Sequence, residues 1–185
     1  MPSAAARGPA AAALPAVTLV LGGARSGKSL YAERLVEDAA AQGTYCATAE
    51  AGDAEMAERI AAHRARRGPF WQTVEAPLAL AAAIRRETAP QRPVLVDCLT
   101  LWLSNLLLGD RPVATEIAEL CAALRRAEGA VVLVANEVGL GLVPDTPLGR
   151  RFRDEAGRLN QRVAALADRV VFVAAGLPLV LKEPG

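Results

Sequence analysis

The stretch GGARSGKS, Gly22 to Ser29, leaves few folds open. It fits G-x-x-x-x-G-K-[ST] through Gly22, Gly27, Lys28 and Ser29, and its setting matters more than the pattern itself. The apolar run Val17–Leu21 precedes it, and a helical pattern from Lys28 to Ala41 follows. A strand, a glycine-rich turn and a helix in that order make a phosphate-binding loop. Its backbone N–H groups converge on an anion that the helix N-terminus also favours. Gly22, Gly23, Ala24, Arg25, Ser26, Gly27, Lys28 and Ser29 are therefore the expected nucleotide cradle. Lys28 would reach the β- and γ-phosphates, and the Ser29 hydroxyl would ligate Mg²⁺.

Basic residues support that reading. Of 21 Lys and Arg, only Lys28 and Lys182 are lysines. A chain that otherwise writes positive charge as arginine keeps a compact ammonium where a phosphate needs one.

Further apolar runs follow at Thr44–Thr48, Pro93–Asp97, Ala130–Ala135 and Arg169–Ala175. They are continuous rather than alternating, as in strands buried on both faces of a parallel sheet. Helical patterns lie between them, at 53–67, 77–86, 99–108, 115–127 and 151–167. Gly176–Lys182 reads as a turn and a final, antiparallel edge strand. The expectation is a three-layer α/β P-loop domain over 17–185, after a disordered Ala/Pro-rich tail over 1–16. A signal peptide is the weaker reading of that tail, which lacks a proper basic start.

Two polar clusters end strands. Asp97 closes PVLVD, where it either holds Mg²⁺ through a water or caps the helix at Leu99–Leu108. Asn136 and Glu137 follow Ala130–Ala135, at the end of the sheet where open α/β folds bind ligands. An ordinary polar turn explains the second cluster equally well. Leu99–Leu108 is apolar nearly all round, which fits a buried helix or a subunit contact.

A net charge of +1 offers no basic excess for a nucleic-acid partner. No apolar run approaches the roughly 18 residues of a membrane span. Cys46, Cys98 and Cys121 are odd in number and set among apolar residues, so they read as reduced core thiols of a cytoplasmic protein.

RIAAHRARRG, Arg59–Gly68, holds the only histidine, His63. Met56, Ile60 and His63 share one helical face, and local spacing alone favours a packed or surface histidine. An imidazole near its reference pKa of about 6.5 is nonetheless mostly neutral at pH 7 and can attack phosphorus. Arg64, Arg66 and Arg67 would disfavour its protonation and gather triphosphate charge.

Beyond the loop, YCATAEAGDAEMAERIAAHRARRG, LVDCLTLWLSNLLL, NEVGLGLVP and FRDEAGRLNQRVAALADRVVFV occur in an order that resembles the bifunctional adenosylcobinamide kinase/adenosylcobinamide-phosphate guanylyltransferases. The resemblance runs from about Val17 to Lys182. It implies phosphorylation of adenosylcobinamide, a corrinoid, by ATP or GTP. It also implies transfer of GMP from GTP through a guanylylated histidine, giving adenosylcobinamide-GDP in cobalamin biosynthesis. The histidine of that family's motif falls here on His63. The resemblance further places Thr48, Ala49, Glu50, Arg64, Ala65, Arg66, Arg67, Glu75 and Asp97 around the nucleotide, and implies a RecA-like P-loop α/β fold and a homotrimer. Both reactions on one domain would require the segment 53–68 to overhang the loop and close on nucleotide. Two other readings fit the residues alone. One is a monofunctional P-loop small-molecule kinase in which His63 is structural, and the other is a nucleotide-dependent regulatory module.

Overall fold

The computed structural model describes residues 13–50 and 68–184. The expected helix over 53–67, with His63, Arg64, Ala65, Arg66 and Arg67, lies outside them, as does most of the N-terminal tail. In chain order the described elements are β1 (Val17–Gly22), α1 (Lys28–Ala39), β2 (Gly43–Ala47), β3 (Trp71–Glu75), α2 (Leu80–Glu87) and β4 (Val94–Asp97). There follow α3 (Leu99–Leu108), α4 (Val113–Arg125), β5 (Val131–Asn136), α5 (Pro147–Leu166), β6 (Arg169–Ala174) and β7 (Leu177–Lys182).

The strands form one sheet in the order β3-β2-β4-β5-β1-β6-β7. Every neighbouring pair is parallel except β6 and β7, the expected antiparallel edge. Their continuous apolar runs have a simple cause, because alternate residues enter separate cores on the two faces. From β1, Val17, Leu19 and Leu21 join one core while Val20 joins the other. From β5, Val131, Leu133 and Ala135 divide in the same way from Val132 and Val134. The first core is closed by α2, α3, α4 and α5 and contains Trp102. Among the described helices, α1 is the one that packs on the other face, through Ala32 and Val36, in the core that also contains Trp71.

The helix expected at 77–86 begins at Leu80, the one expected at 115–127 begins at Val113, and two larger differences stand out. WQTVE was not expected as a strand, yet it pairs with β2 along its whole length as β3. It is an edge strand in which only Trp71 is buried outright, so the buried-strand signature is missing. The helix expected from Arg151 begins at Pro147, because Thr146 caps it by accepting a hydrogen bond from the Gly149 N–H at 3.0 Å. Proline in the first turn gives up no hydrogen bond there.

The apolar α3 is mainly a core helix. Leu99, Trp102, Leu103 and Leu106 are fully enclosed, while Leu108 at its end is exposed. All three cysteines are buried and free of disulfides. Burial pushes the Cys46 thiol up to about 12, with the Glu87 carboxylate adding to it. Burial likewise pushes Cys98 up to about 11, with a further push from Asp97. Neither thiol is a nucleophile near neutral pH.

Candidate functional site

The loop between β1 and α1 has the shape that its sequence demands. A Cβ on Gly22 would lie 2.5 Å from both the Ser26 hydroxyl oxygen and the Val173 carbonyl, so nothing larger fits where the loop leaves the sheet. Gly27 has φ +94°, a left-handed conformation that costs other residues roughly 1–2 kcal/mol. Lys28 is nearly buried, and its ammonium donates to the Gly23 carbonyl at 3.0 Å. Its charge is thus held across the mouth of the loop. The Ser26 hydroxyl is buried with no hydrogen-bond partner among the described residues.

The hairpin between β6 and β7 braces this loop from outside, a contact the sequence does not announce. Ala175 and Gly176 have φ of 52° and 79°, the doubly left-handed turn whose twist suits a two-residue hairpin. The Gly176 N–H donates to the Ser26 carbonyl at 2.8 Å.

Carboxyl ends of the neighbouring strands gather the other polar residues. β5 lies directly beside β1, with Asn136 paired in register with Gly22. The backbone of Asn136 is pinned from two helices: its N–H donates to the Thr100 hydroxyl at 2.7 Å, and its carbonyl accepts from the Asn160 side-chain amide at 3.3 Å. Thr100 and Asn160 are buried polar residues whose bonds explain their burial. The Glu137 N–H then donates to the Gly22 carbonyl at 3.1 Å. Spacing along the chain could not have singled out these helix residues, since they meet β5 only through tertiary packing.

Asp97 ends β4, one strand beyond β5 and therefore about 10 Å across the sheet from β1. The cap of α3 is Cys98, with no side-chain cap bond, so Asp97 does not serve that helix. Its Oδ2 accepts from the Tyr45 hydroxyl at 2.7 Å, which fixes the carboxylate at the strand end.

Thr48 is fully buried just past β2. Its hydroxyl donates to the Cys98 carbonyl at 2.7 Å and accepts from the Cys98 N–H at 2.8 Å. Its carbonyl accepts from the Asn105 amide at 2.8 Å. These bonds lock β2 to β4 and set where half-buried Ala49 and exposed Glu50 leave the sheet. Replacing Thr48 by Val would leave the Cys98 N–H unpaired in the interior, while the Cys98 carbonyl would keep the Trp102 N–H, at 3.2 Å, as its donor. We expect a loss of about 1–3 kcal/mol in urea unfolding, the cost of one such buried group left unpaired. A variant within about 0.5 kcal/mol of the parent would show that the clamp does not hold the sheet.

Glu75 ends β3 at the sheet edge, in register with Ala47, as is Asp97 on the other side of β2. Four strand spacings, about 19 Å, separate β3 from β1. The structure thus gathers the loop, Asn136, Glu137 and Asp97 on adjacent strands, with Thr48–Glu50 and Glu75 farther along the same edge.

The family model described as cobinamide kinase / cobinamide phosphate guanyltransferase matches residues 18–181. The bifunctional adenosylcobalamin biosynthesis protein CobP of Pseudomonas aeruginosa is 54% identical over 169 residues, spanning 90% of this chain and 98% of that protein. The bifunctional adenosylcobalamin biosynthesis protein CobU of Salmonella typhimurium is 43% identical over 179 residues, covering 89% of this chain and 98% of its own. Among solved structures, the ATPase EscN of the enteropathogenic Escherichia coli type III secretion system superposes with a TM-score of 0.54. It is 12% identical, and the match covers 87% of this chain and 43% of EscN. That likeness concerns the fold alone, a RecA-like P-loop core.

Proposed function

The chain belongs to the cobinamide kinase/cobinamide phosphate guanyltransferase family, and on that membership we propose how one P-loop domain carries both of its reactions. It is a bifunctional enzyme of adenosylcobalamin biosynthesis, acting as kinase and then as guanylyltransferase. The observation that carries the residue-level reading is the loop itself, with Gly22 and Gly27 shaped for an anion and Lys28 held across its mouth.

In the kinase step, N–H groups of Gly22–Ser29 bind the triphosphate of ATP or GTP, and Lys28 neutralises charge on the transferring γ-phosphoryl group. Ser29 and Asp97 offer hard oxygen ligands, the donor type that suits Mg²⁺. Tyr45 occupies only one oxygen of the Asp97 carboxylate, which supports that fit. When bound, Mg²⁺ would draw charge from the phosphate oxygens.

In the second step His63 attacks the α-phosphorus of GTP. The bond to the bridging oxygen breaks and pyrophosphate leaves. The phosphate of the corrinoid then displaces the histidine, yielding adenosylcobinamide-GDP and free His63. Arg64, Ala65, Arg66 and Arg67 follow His63 around the triphosphate. Thr48–Glu50, Glu75 and Asp97 line the guanine side, with a carboxylate accepting from the base's N1 and N2 hydrogens.

We place the reaction in the cytoplasm, which suits three thiols with no disulfide among them. Among the described residues, no helix is long and apolar enough to cross a membrane. We assign the homotrimer contact to the end of α3, the loop before α5 and the first turn of α5, where Leu108, Leu140, Leu142 and Leu148 are exposed. An exposed apolar patch of that kind marks an interaction surface.

The test is incubation with α-labelled GTP. The expected product is label on the protein that is acid-labile and stable to alkali, released when adenosylcobinamide phosphate is added. Label that does not chase into the corrinoid would reduce the chain to a kinase or a nucleotide-dependent regulatory module.

A further inference from the structure

The sheet order leaves one carboxylate beside the phosphate loop without a role. β5 is the strand inserted between β1 and β4, and Glu137 is the first residue beyond it. Its N–H bond to the Gly22 carbonyl ties it to the residue that opens the loop. Its Oε1 accepts from the Gly139 N–H at 2.7 Å, so the carboxylate is held close to the strand end. Among the described residues no arginine or lysine pairs with it.

The strand end is also built for rigidity. Thr100 from α3 and Asn160 from α5, both buried, spend their side chains on the backbone of Asn136. The Asn136 Oδ1 is buried with no donor among the described residues, so a second acceptor stands next to Glu137. Two helices anchoring one short turn at the loop's edge is the preorganisation a proton-transfer group requires. The other strand-end acids are less suited. Asp97 is one strand farther away and engaged by Tyr45, and Glu75 lies at the far edge.

We propose that Glu137 is the proton acceptor of the kinase reaction. The carboxylate takes the proton of the corrinoid's side-chain hydroxyl as the hydroxyl oxygen bonds to the γ-phosphorus. The bond from the γ-phosphorus to the β–γ bridging oxygen breaks, and the nucleoside diphosphate leaves with that electron pair. Glu137 then returns its proton to water. Guanylyl transfer needs no such group, because neutral His63 brings its own lone pair and the corrinoid phosphate is already an anion. The inference rests on the kinase reading given above.

The experiment compares the full-length chain with Glu137→Gln, which keeps the shape and the bond from Gly139 but has little basicity. With ATP and adenosylcobinamide, the variant's kcat should fall by about 10²–10⁴, the usual contribution of general-base catalysis. KM for both substrates should stay within about threefold, and the rate of GMP labelling from GTP should be retained. Kinase turnover within about threefold of the parent overturns the assignment. Equal loss of kinase turnover and GMP labelling overturns it too, because the turn would then be serving the fold. The parent chain run alongside separates the two levels. If it has no kinase turnover, the proposed function itself fails, and this inference with it.

Discussion

A chain carrying His63→Ala should emerge from incubation with α-labelled GTP bearing no label, while its kinase reaction continues within a few-fold of the parent. The asymmetry follows from the two phosphorus centres. Phosphoryl transfer uses the γ-phosphorus, held by Gly22–Ser29, and needs no covalent intermediate on the protein. Guanylyl transfer uses the α-phosphorus and, in the proposed route, must pass through an imidazole. With one histidine in the chain, no second imidazole can substitute. Loss of an enzyme's nucleophile removes the covalent path outright, so guanylyl transfer should fall on the order of 10³-fold or more. Label retained on the alanine variant would move the GMP to another side chain and sink the assignment.

Lys28→Ala should cripple both activities. The ammonium lies across the loop mouth against the Gly23 carbonyl and is nearly buried, where a charge acts far more strongly than in water. Removing one such group from developing phosphate charge costs about 10²–10³ in rate. Kinase kcat and the rate of GMP labelling should each drop by at least that factor, with thermal unfolding showing the fold intact. Lys28→Arg should rescue neither, because a planar guanidinium does not fit a space cut for a compact ammonium. A Lys28→Ala enzyme that labels at the parental rate would mean that guanylyl transfer binds its triphosphate elsewhere.

The sequence carried the site's chemistry further than its architecture. The loop could be read because its function is local, with glycines, lysine and serine at fixed offsets between a strand and a helix. Asp97 and Glu137 could be found as acids ending apolar runs. Which strands are neighbours was not legible, and that is what places Glu137 at the loop and Glu75 at the far edge. Nor were Thr100 and Asn160, whose partner is the backbone of a strand distant in sequence. Trp71–Glu75 escaped notice because an edge strand with one buried residue lacks the apolar run by which buried strands are recognised. Thr48 stood out as part of a motif, yet its hydroxyl turns out to clamp Cys98. His63 was marked by its family motif and its solitude, and its local spacing alone favoured the plainer reading.

The chain's two tryptophans lie on opposite faces of the sheet, Trp102 in the core beneath α3 and Trp71 in the core beneath α1. The protein therefore contains its own pair of optical reporters, one for each half of its interior. Replacing either by phenylalanine leaves an emission signal from a single face. Comparing the two unfolding curves then asks whether the α3 side and the α1 side melt together. A common midpoint would make the nucleotide edge as durable as the core behind it. Separate midpoints would mean that the α1 side, which carries the phosphate loop, can loosen while the rest of the molecule stands.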